Sequence, residues 1–413
     1  MSSGEVAASP GEVASFQASV LDIERHRFLV LPREKRLREL DGWRAVSVLL
    51  VILYHVAGYQ HHGLVSRSSF LDLRLHYAGP LAVKIFFVVS GFVICRLLIS
   101  EGLRYGSVSL KAFYYRRAMR ILPPLYVYLA AISLLLCLGL IQERARPILG
   151  AALFLYDVGI NPQSWFVGHT WSLAVEEQFY LIFPTMWVLT PKARRGKVFL
   201  AVLSLCAAWN VIIGYTGWHS HMSSETRAGF ACIGCGVLMA IHEARIRQIV
   251  MRVPALIVAL VGFTLLLHPV GSTSWQAVLY ESVLVPPAIG LVLLFSLDRG
   301  VRLRAFLNSR PVQAVGLTSY GIYLWQQLFT GPQTFLSDTG QFIPTFLGAG
   351  RIIPQLLPLL CLIVPLSYFF IEKPAMRYGK FLSRRTRRDS IPVGANSDSR
   401  GGLLVPLALE SDR

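Results

Sequence analysis

Three ionisable residues are attached to an apolar stretch, residues 40–59, which reads LDGWRAVSVLLVILYHVAGY. Asp41 and Arg44 stand near its start, and His55 lies deep inside it. In an α-helix the step from Arg44 to His55 makes three turns plus about 20°, so both lie on one face, roughly 16 Å apart along the axis. His55 could act as a general base, act as a nucleophile, or hydrogen-bond to a neighbouring helix as a structural residue.

A second group of charges lies in the segment FYYRRAMRILPPLY, residues 113–126. Arg117 and Arg120 are three positions apart, hence neighbours on one helical face, and Arg116 adjoins them. Two guanidinium groups in this arrangement can each bind a phosphate through paired hydrogen bonds, which lysines do less well. We therefore predict that the three arginines bind a phosphorylated cofactor. The alternative is a purely topological role, because arginines collect on the cytoplasmic side of membrane proteins and contact lipid headgroups.

Two adjacent carboxylates, Glu176 and Glu177, lie inside the segment SWFVGHTWSLAVEEQFYLIFP, residues 164–184. Ionisable residues inside a membrane are costly, so each is a candidate for function. Neighbouring helical side chains point about 100° apart, and at most one of the two can share a face with His55. We predict a catalytic role for this pair, with a structural ion pair, for example to Arg227, as the alternative.

Four further residues are candidates for substrate binding, namely Asp41, Ser90, Trp171 and Ser172. Ser90 is followed by a glycine, and this pair could equally serve close helix packing. Aromatic residues such as Trp171 also anchor helices at membrane interfaces. Lys84 interrupts another apolar segment, and we expect its ammonium group to extend toward the outer interface.

The composition indicates a membrane protein. Of 413 residues, 54% are hydrophobic and 15% charged, and the mean hydropathy is +0.52, which excludes an ordinary soluble domain. The net charge of +17 is spread in short clusters between apolar stretches, so we predict lipid contact and no nucleic acid. Cys232 and Cys235 form a CxxC without a second pair, and no metal site is predicted.

The apolar pattern predicts an all-α, polytopic bundle of about ten transmembrane helices plus one short re-entrant or interfacial segment. That segment, residues 148–160, is too short to cross a bilayer, and placing it outside leaves every later basic cluster inside. Residues 1–38 then form a cytoplasmic tail, 39–373 the membrane domain, and 374–413 a basic, disordered cytoplasmic tail. The predicted crossings are residues 40–59, 79–99, 121–141, 171–189, 198–215, 228–242, 254–268, 278–297, 312–330 and 353–371.

Six sequence blocks follow one another between about residues 38 and 378: LDGWRAVSVLLVILYHV, FFVVSGFVI, RRAMRILPPLY, HTWSLAVEEQFYLIFP, SYGIYLWQ and IEKPAMR. Together they resemble the acyltransferase 3 family of bacterial integral membrane acyltransferases. By this resemblance, Arg44 and His55 match the family's essential arginine and histidine of the first span, and Arg117 and Arg120 match its cytoplasmic arginine pair. Many relatives have histidine where this chain has Gln326, which puts a proton-transfer role at that position in doubt.

The resemblance implies an inner-membrane O-acyltransferase. It would move an acyl group, most often acetyl from cytoplasmic acetyl-CoA, to a hydroxyl of an extracytoplasmic or membrane-associated carbohydrate of the O-antigen, exopolysaccharide or lipo-oligosaccharide type. Some family members carry an attached extracytoplasmic hydrolase-like domain. This sequence shows none, so we expect transfer within the membrane domain or through a separate partner protein. Alternatives are a small acceptor such as a macrolide, or a transporter or flippase, although the two halves show no repeat.

Overall fold

The computed structural model describes residues 37–60, 70–139, 141, 143–158, 164–216, 224–267, 279–330 and 357–389. This part of the chain is helical throughout apart from short connections, and no β-strand occurs in it. The prediction of an all-α protein is confirmed.

The α-helices of the described ranges are, in chain order, α1 Arg38–Gln60, α2 Phe70–Tyr105, α3 Leu110–Cys137, α4 Ala145–Ala152, α5 Trp165–Gly168, α6 Thr170–Leu189, α7 Arg195–Thr216, α8 Ser224–Ile241, α9 Glu243–Arg252, α10 Ala255–Leu267, α11 Val285–Asp298, α12 Val301–Leu307, α13 Arg310–Phe329, α14 Leu357–Ser367 and α15 Lys373–Asp389. Two π-helical turns, Tyr280–Leu284 and Tyr368–Glu372, lead into α11 and α15. Short 3₁₀ turns lie at Tyr156–Val158 and Lys192–Arg194.

Several helices are long and apolar enough to cross a bilayer. Within the described residues they are Ala78–Tyr105, Leu110–Cys137, Lys192–Ile213, Tyr280–Asp298 and Leu359–Arg387. Helices α8 and α9 would add a sixth span, but the chain bends by 92° between them. The total of about ten crossings stays a prediction. Helix α4 overlaps the first part of the predicted re-entrant segment. Its eight residues make only about 12 Å of helix, which is too short to cross a bilayer.

Helix α2 lies at the centre of the bundle, packed along both α1 and α8. Its contact with α8 is backbone to backbone. A Cβ atom on Gly91 would lie 2.1 Å from the carbonyl oxygen of Ile233, and one on Gly236 would lie 2.2 Å from that of Val88. The packing role considered for Ser90 and Gly91 therefore holds for the glycine, because only glycine permits so close an approach.

The structure differs from the sequence prediction at the C-terminal side. Residues 373–389 form helix α15, which packs along α3, so the prediction of a disordered tail is wrong for residues 374–389. Residues 390–413 lie outside the described part. The buried carboxylate of Glu101, on α2, holds this helix through ion pairs with Arg387 and, at 2.7 Å, with Arg116 of α3. Composition alone could not reveal this carboxylate partner.

The close contact between α2 and α8 predicts that Gly91→Ala lowers stability. Overpacking a tight site costs about 1–3 kcal/mol, which exceeds the gain of roughly 1 kcal/mol in helix propensity. Gly102 of the same helix is the matched control, because the nearest atom to a Cβ there is 3.9 Å away. In detergent, the midpoint of thermal unfolding should fall for Gly91→Ala and stay level or rise for Gly102→Ala. Equal midpoints for the two variants would contradict the packing argument.

Candidate active site

A strongly basic cavity of about 520 Å³ opens at the end of the bundle where α2 ends and α3 begins, which the charge pattern predicts to be cytoplasmic. Helices α1, α2, α3, α13 and α15 line it, together with the second π-helical turn. Among the lining residues a single carboxylate, Asp41, faces seven cations: Arg44, Arg96, Arg117, Arg120, Lys373, Arg377 and Lys380. We call this the basic cavity. Its charge suits a ligand with several negative charges.

The arginines of α3 separate into two groups. Arg117 and Arg120 line the basic cavity, and the guanidinium of Arg117 lies over the ring of Tyr180, 5.1 Å from its centroid. Arg116 points elsewhere and donates to Glu101 Oε2 and Ser383 Oγ, each at 2.7 Å. The rotation of about 100° between neighbouring helical residues explains this. The structure therefore brings two of the three predicted phosphate ligands to the cavity and gives Arg116 a structural role.

Arg44 forms the boundary between the basic cavity and a narrow internal cavity of about 40 Å³, since it lines both. Its side chain is buried, with Nη1 3.7 Å from Asp41 Oδ1. Its Nε atom has no hydrogen-bond partner among the described residues, so one donor is free for a ligand. Asp41 is the carboxylate beside this arginine and also lines the basic cavity, and its role in substrate binding stays a prediction.

The internal cavity, which we call the slot, lies between α1, α2, α6 and α13. Its lining is mainly apolar or small: Arg44, Ser47, Val48, Val51, Ala82, Val83, Phe86, Ser172, Leu173, Glu176, Ser319, Tyr320 and Tyr323. On α1 the lining residues follow one face, and His55 lies one turn beyond Val51 on that face. The slot therefore runs from Arg44 in the direction of His55.

Only one of the two adjacent glutamates lines the slot, as their angular separation predicts. Glu176 Oε1 accepts hydrogen bonds from Ser90 Oγ, at 2.5 Å, and from the Tyr180 hydroxyl. It also lies near enough to interact with the charges of Arg44 and Arg117. Ser90, predicted to bind substrate, thus orients this carboxylate. Glu177 lines neither cavity, and its Oε1 atom is buried without a hydrogen-bond partner in the described structure.

The half-buried ring of His55 is held in one tautomer by Gln326. Its Nδ1 lies 3.0 Å from Gln326 Oε1. The amide nitrogen of Gln326 donates to Gln327 Oε1 at 2.9 Å. The side-chain oxygen of Gln326 is therefore the atom that faces His55. Nδ1 must then donate, and Nε2 keeps a lone pair that can accept a proton or attack a carbonyl. The ring of Trp165 meets the imidazole edge-on, with 5.6 Å between centroids.

Three members of this neighbourhood were not among the site residues predicted from the sequence. Gln326 was singled out only as a departure from relatives, and its contact with His55 joins residues that are 271 positions apart. The Tyr323 hydroxyl lies 2.7 Å from Ser172 Oγ, and it also donates to the carbonyl oxygen of His169. His169 itself is buried, and neither ring nitrogen has a hydrogen-bond partner within the described residues. Its position in the block HTWSLAVEEQFYLIFP was the available signal.

Trp171 lines neither of these two cavities and packs edge-on against Phe87 of α2, with 6.2 Å between centroids, and its role in substrate binding stays a prediction. Lys84 does not extend to the outer interface. It is 3% exposed, and its Nζ lies 2.9 Å from Glu281 Oε2 on the first π-helical turn. The prediction for Lys84 is wrong because a buried carboxylate from a distant helix compensates its charge.

The sequence of this chain is similar to those of known acyltransferases. A family described as "Acyltransferase domain" matches residues 37–372. The peptidoglycan O-acetyltransferase OatA of Listeria monocytogenes is 27% identical over 379 residues, which are 84% of this chain and 56% of that protein. The O-acetyltransferase OatA of Staphylococcus aureus is 27% identical over 385 residues, 87% of this chain and 60% of that protein. The chain thus spans little more than half the length of these curated relatives. No solved structure matches the chain significantly.

The family match begins at the first residue of the described structure and ends at the last residue of the second π-helical turn, so it includes both cavities except the wall formed by α15. It covers most of the chain, and every one of the six sequence blocks lies wholly or partly within it. This protein therefore belongs to the acyltransferase 3 family of bacterial membrane acyltransferases.

Proposed function

We propose that the protein transfers an acetyl group from cytoplasmic acetyl-CoA to a hydroxyl of an extracytoplasmic cell-wall carbohydrate. One observation carries the proposal: Arg44 joins a cation-lined cavity to a narrow slot that runs toward His55, whose Nε2 has no hydrogen-bond partner among the described residues. Acetyl-CoA has the same order of parts, with phosphates at one end, a slender arm, and a thioester at the other end. The names of the relatives, which include a peptidoglycan O-acetyltransferase, support a cell-wall polysaccharide as acceptor.

The basic cavity supplies the charge that the donor requires. Cations brought together around one space repel each other unless an anion lies between them. Arg117 and Arg120 can bind the diphosphate through paired hydrogen bonds, and the free Nε donor of Arg44 can take the oxygen nearest the slot. Arg44 lies roughly 16 Å along the helix axis from His55, too far to contact the reacting carbonyl. We therefore assign Arg44 to donor binding rather than to the chemical step.

The slot separates the two ends of the donor. Its volume of about 40 Å³ is too small for a nucleotide, which stays in the basic cavity, while the narrower arm of the donor would extend between Val48, Val51 and Phe86. An apolar lining also keeps bulk water from the thioester, and this limits hydrolysis without transfer. Glu176 contributes by balancing the charges of Arg44 and Arg117 at the entrance.

The Nε2 lone pair of His55 supports two reaction schemes. As a general base, it takes the proton from the acceptor hydroxyl while the oxygen attacks the thioester carbonyl, and the CoA thiolate leaves. As a nucleophile, Nε2 itself attacks the carbonyl and the thiolate leaves. The acceptor oxygen then displaces the imidazole from the acyl carbon, and the hydroxyl proton passes to the released Nε2. In both schemes Gln326 keeps the proton on Nδ1.

His55→Ala should abolish turnover and leave donor binding intact, because the histidine acts on the thioester and not on the phosphates. The rate of acetyl transfer from labelled acetyl-CoA, measured in detergent without any gradient, should fall by about 10² to 10⁴. Binding of CoA, measured by calorimetry, should change little. His242→Ala is the control, since His242 lies at the bend between α8 and α9 and lines neither cavity. Full transfer by folded His55→Ala would refute the mechanism.

Arg117→Gln and Arg120→Gln should each raise the KM for acetyl-CoA by about tenfold or more with little change in kcat. A hydrogen bond to a charged group contributes about 1.5–3 kcal/mol, and 1.4 kcal/mol corresponds to a factor of ten. Steady-state kinetics measure both constants. The matched control is Lys111→Gln, because Lys111 is an exposed cation of the same helix that lines neither cavity. If the control and the arginine variants raise KM equally, the arginines contribute only general charge.

Gln326→Leu should lower kcat by about tenfold or more, because the loss of the acceptor oxygen leaves the His55 tautomer unfixed. The KM for acetyl-CoA should stay near that of the unmodified protein. Thr330→Val is the control, since the Thr330 hydroxyl donates to the same Gln326 oxygen at 3.0 Å without contacting the ring. An equal loss in both variants would show that the hydrogen-bond network matters only for local packing.

A further inference from the structure

Helix α15 forms a second cationic wall of the basic cavity, next to α3, along which it packs. Lys373, Arg377 and Lys380 all line the cavity, and their spacing of four and three residues places them on one helical face. Neither Arg377 nor Lys380 makes an ion pair within the described residues. Arg117 and Arg120 already account for the diphosphate of the proposed donor, so this wall is available for another anionic group.

We propose that Arg377 and Lys380 bind the phosphomonoester on the ribose of the donor nucleotide, the 3′-phosphate of acetyl-CoA. This rests on the proposed function, and it adds a second phosphate subsite that makes the enzyme distinguish phosphorylated from dephosphorylated donors. In acetyl-CoA the arm and the ribose phosphate lie on opposite sides of the diphosphate. With the arm in the slot, the ribose phosphate must lie on the side of the diphosphate that faces away from the slot.

The contacts of α3 show which side that is. Tyr320, which lines the slot, donates to the carbonyl oxygen of Ile121 at 2.9 Å, so α3 meets the slot near Ile121. Toward its N-terminus α3 leaves the slot and meets α15, where a Cβ on Gly379 would lie 2.7 Å from Cβ of Met119 and 3.0 Å from the oxygen of Tyr115. Arg377 and Lys380 flank Gly379. They therefore lie level with the turns of α3 that carry Arg117 and Arg120, beside these proposed diphosphate ligands and on the side of Ile121 that is away from the slot.

The wall is fixed in place by contacts on its far side. Arg116 donates to Ser383 Oγ at 2.7 Å, and Arg387, two turns beyond Lys380, is ion-paired with Glu101 and lies over the ring of Tyr105 at 4.0 Å. These contacts join α15 to both α2 and α3. Arg377 and Lys380 therefore lie on a helix that is held in place at the turns following Lys380. This is the arrangement expected for a phosphate subsite with a defined position.

The test compares acetyl-CoA with 3′-dephospho-acetyl-CoA as donors for the full chain in detergent. The unmodified protein should show a kcat/KM at least about tenfold higher with acetyl-CoA, the effect of one charge-assisted contact. The double variant Arg377→Gln/Lys380→Gln should lose about tenfold with acetyl-CoA and less than twofold with the dephosphorylated donor. Arg385→Gln is the matched control, because Arg385 is an exposed cation of the same helix that does not line the cavity.

Binding of CoA and 3′-dephospho-CoA, measured by calorimetry, separates this inference from the proposed function. Tighter binding of CoA that the double variant abolishes supports the subsite even if no acetyl transfer is observed, in which case only the proposed reaction fails. Equal affinity of the unmodified protein for both compounds overturns the subsite, whether or not transfer occurs. An equal loss with both donors in the double variant also overturns it and assigns the two cations to another anion, such as a lipid headgroup phosphate.

Discussion

The buried charge of Arg44 is the constraint on which the arrangement of the site depends. A guanidinium in the interior of a helical bundle is costly unless carboxylates lie near it. Asp41 provides one from the same helix, and Glu176 provides another from α6. Glu176 is in turn held by hydrogen bonds from Ser90 of α2 and Tyr180 of α6. The compensation of one cation thus fixes three helices relative to each other, and these helices, with α13, enclose the slot.

This constraint also divides binding from chemistry. On one side of Arg44 the lining is cationic and wide, and on the other side it is mainly apolar and narrow. A polyanion gains electrostatic energy only up to this boundary, whereas an uncharged arm loses little by passing it. The environment of His55 differs accordingly, because its polar partner within the described residues is the neutral amide of Gln326. A neutral imidazole is the form that can accept a proton or attack a thioester.

The helical repeat predicted much of this site, but it could not predict contacts between helices that are far apart in sequence. The shared face of Arg44 and His55 followed from the helical repeat, and the intervening slot residues Val48 and Val51 lie on that face. The same repeat separates Arg117 from Arg116, although the sequence did not show which of them faces the cavity. The pairs His55–Gln326 and Lys84–Glu281 are different, because each joins helices whose relative rotation is set by packing of the whole bundle.

The C-terminal helix shows why a basic segment is ambiguous in sequence. Lys373 and Arg377 are four residues apart, and like charges at this spacing weaken a helix by a few tenths of a kcal/mol. Such repulsion favours an irregular tail unless anions lie beside the helix, and Glu101 supplies one at its far end. A phosphate bound between Arg377 and Lys380 would convert repulsion into attraction. Ligand binding and the order of α15 would then stabilise each other, since a ligand that binds only the ordered form shifts the equilibrium toward it.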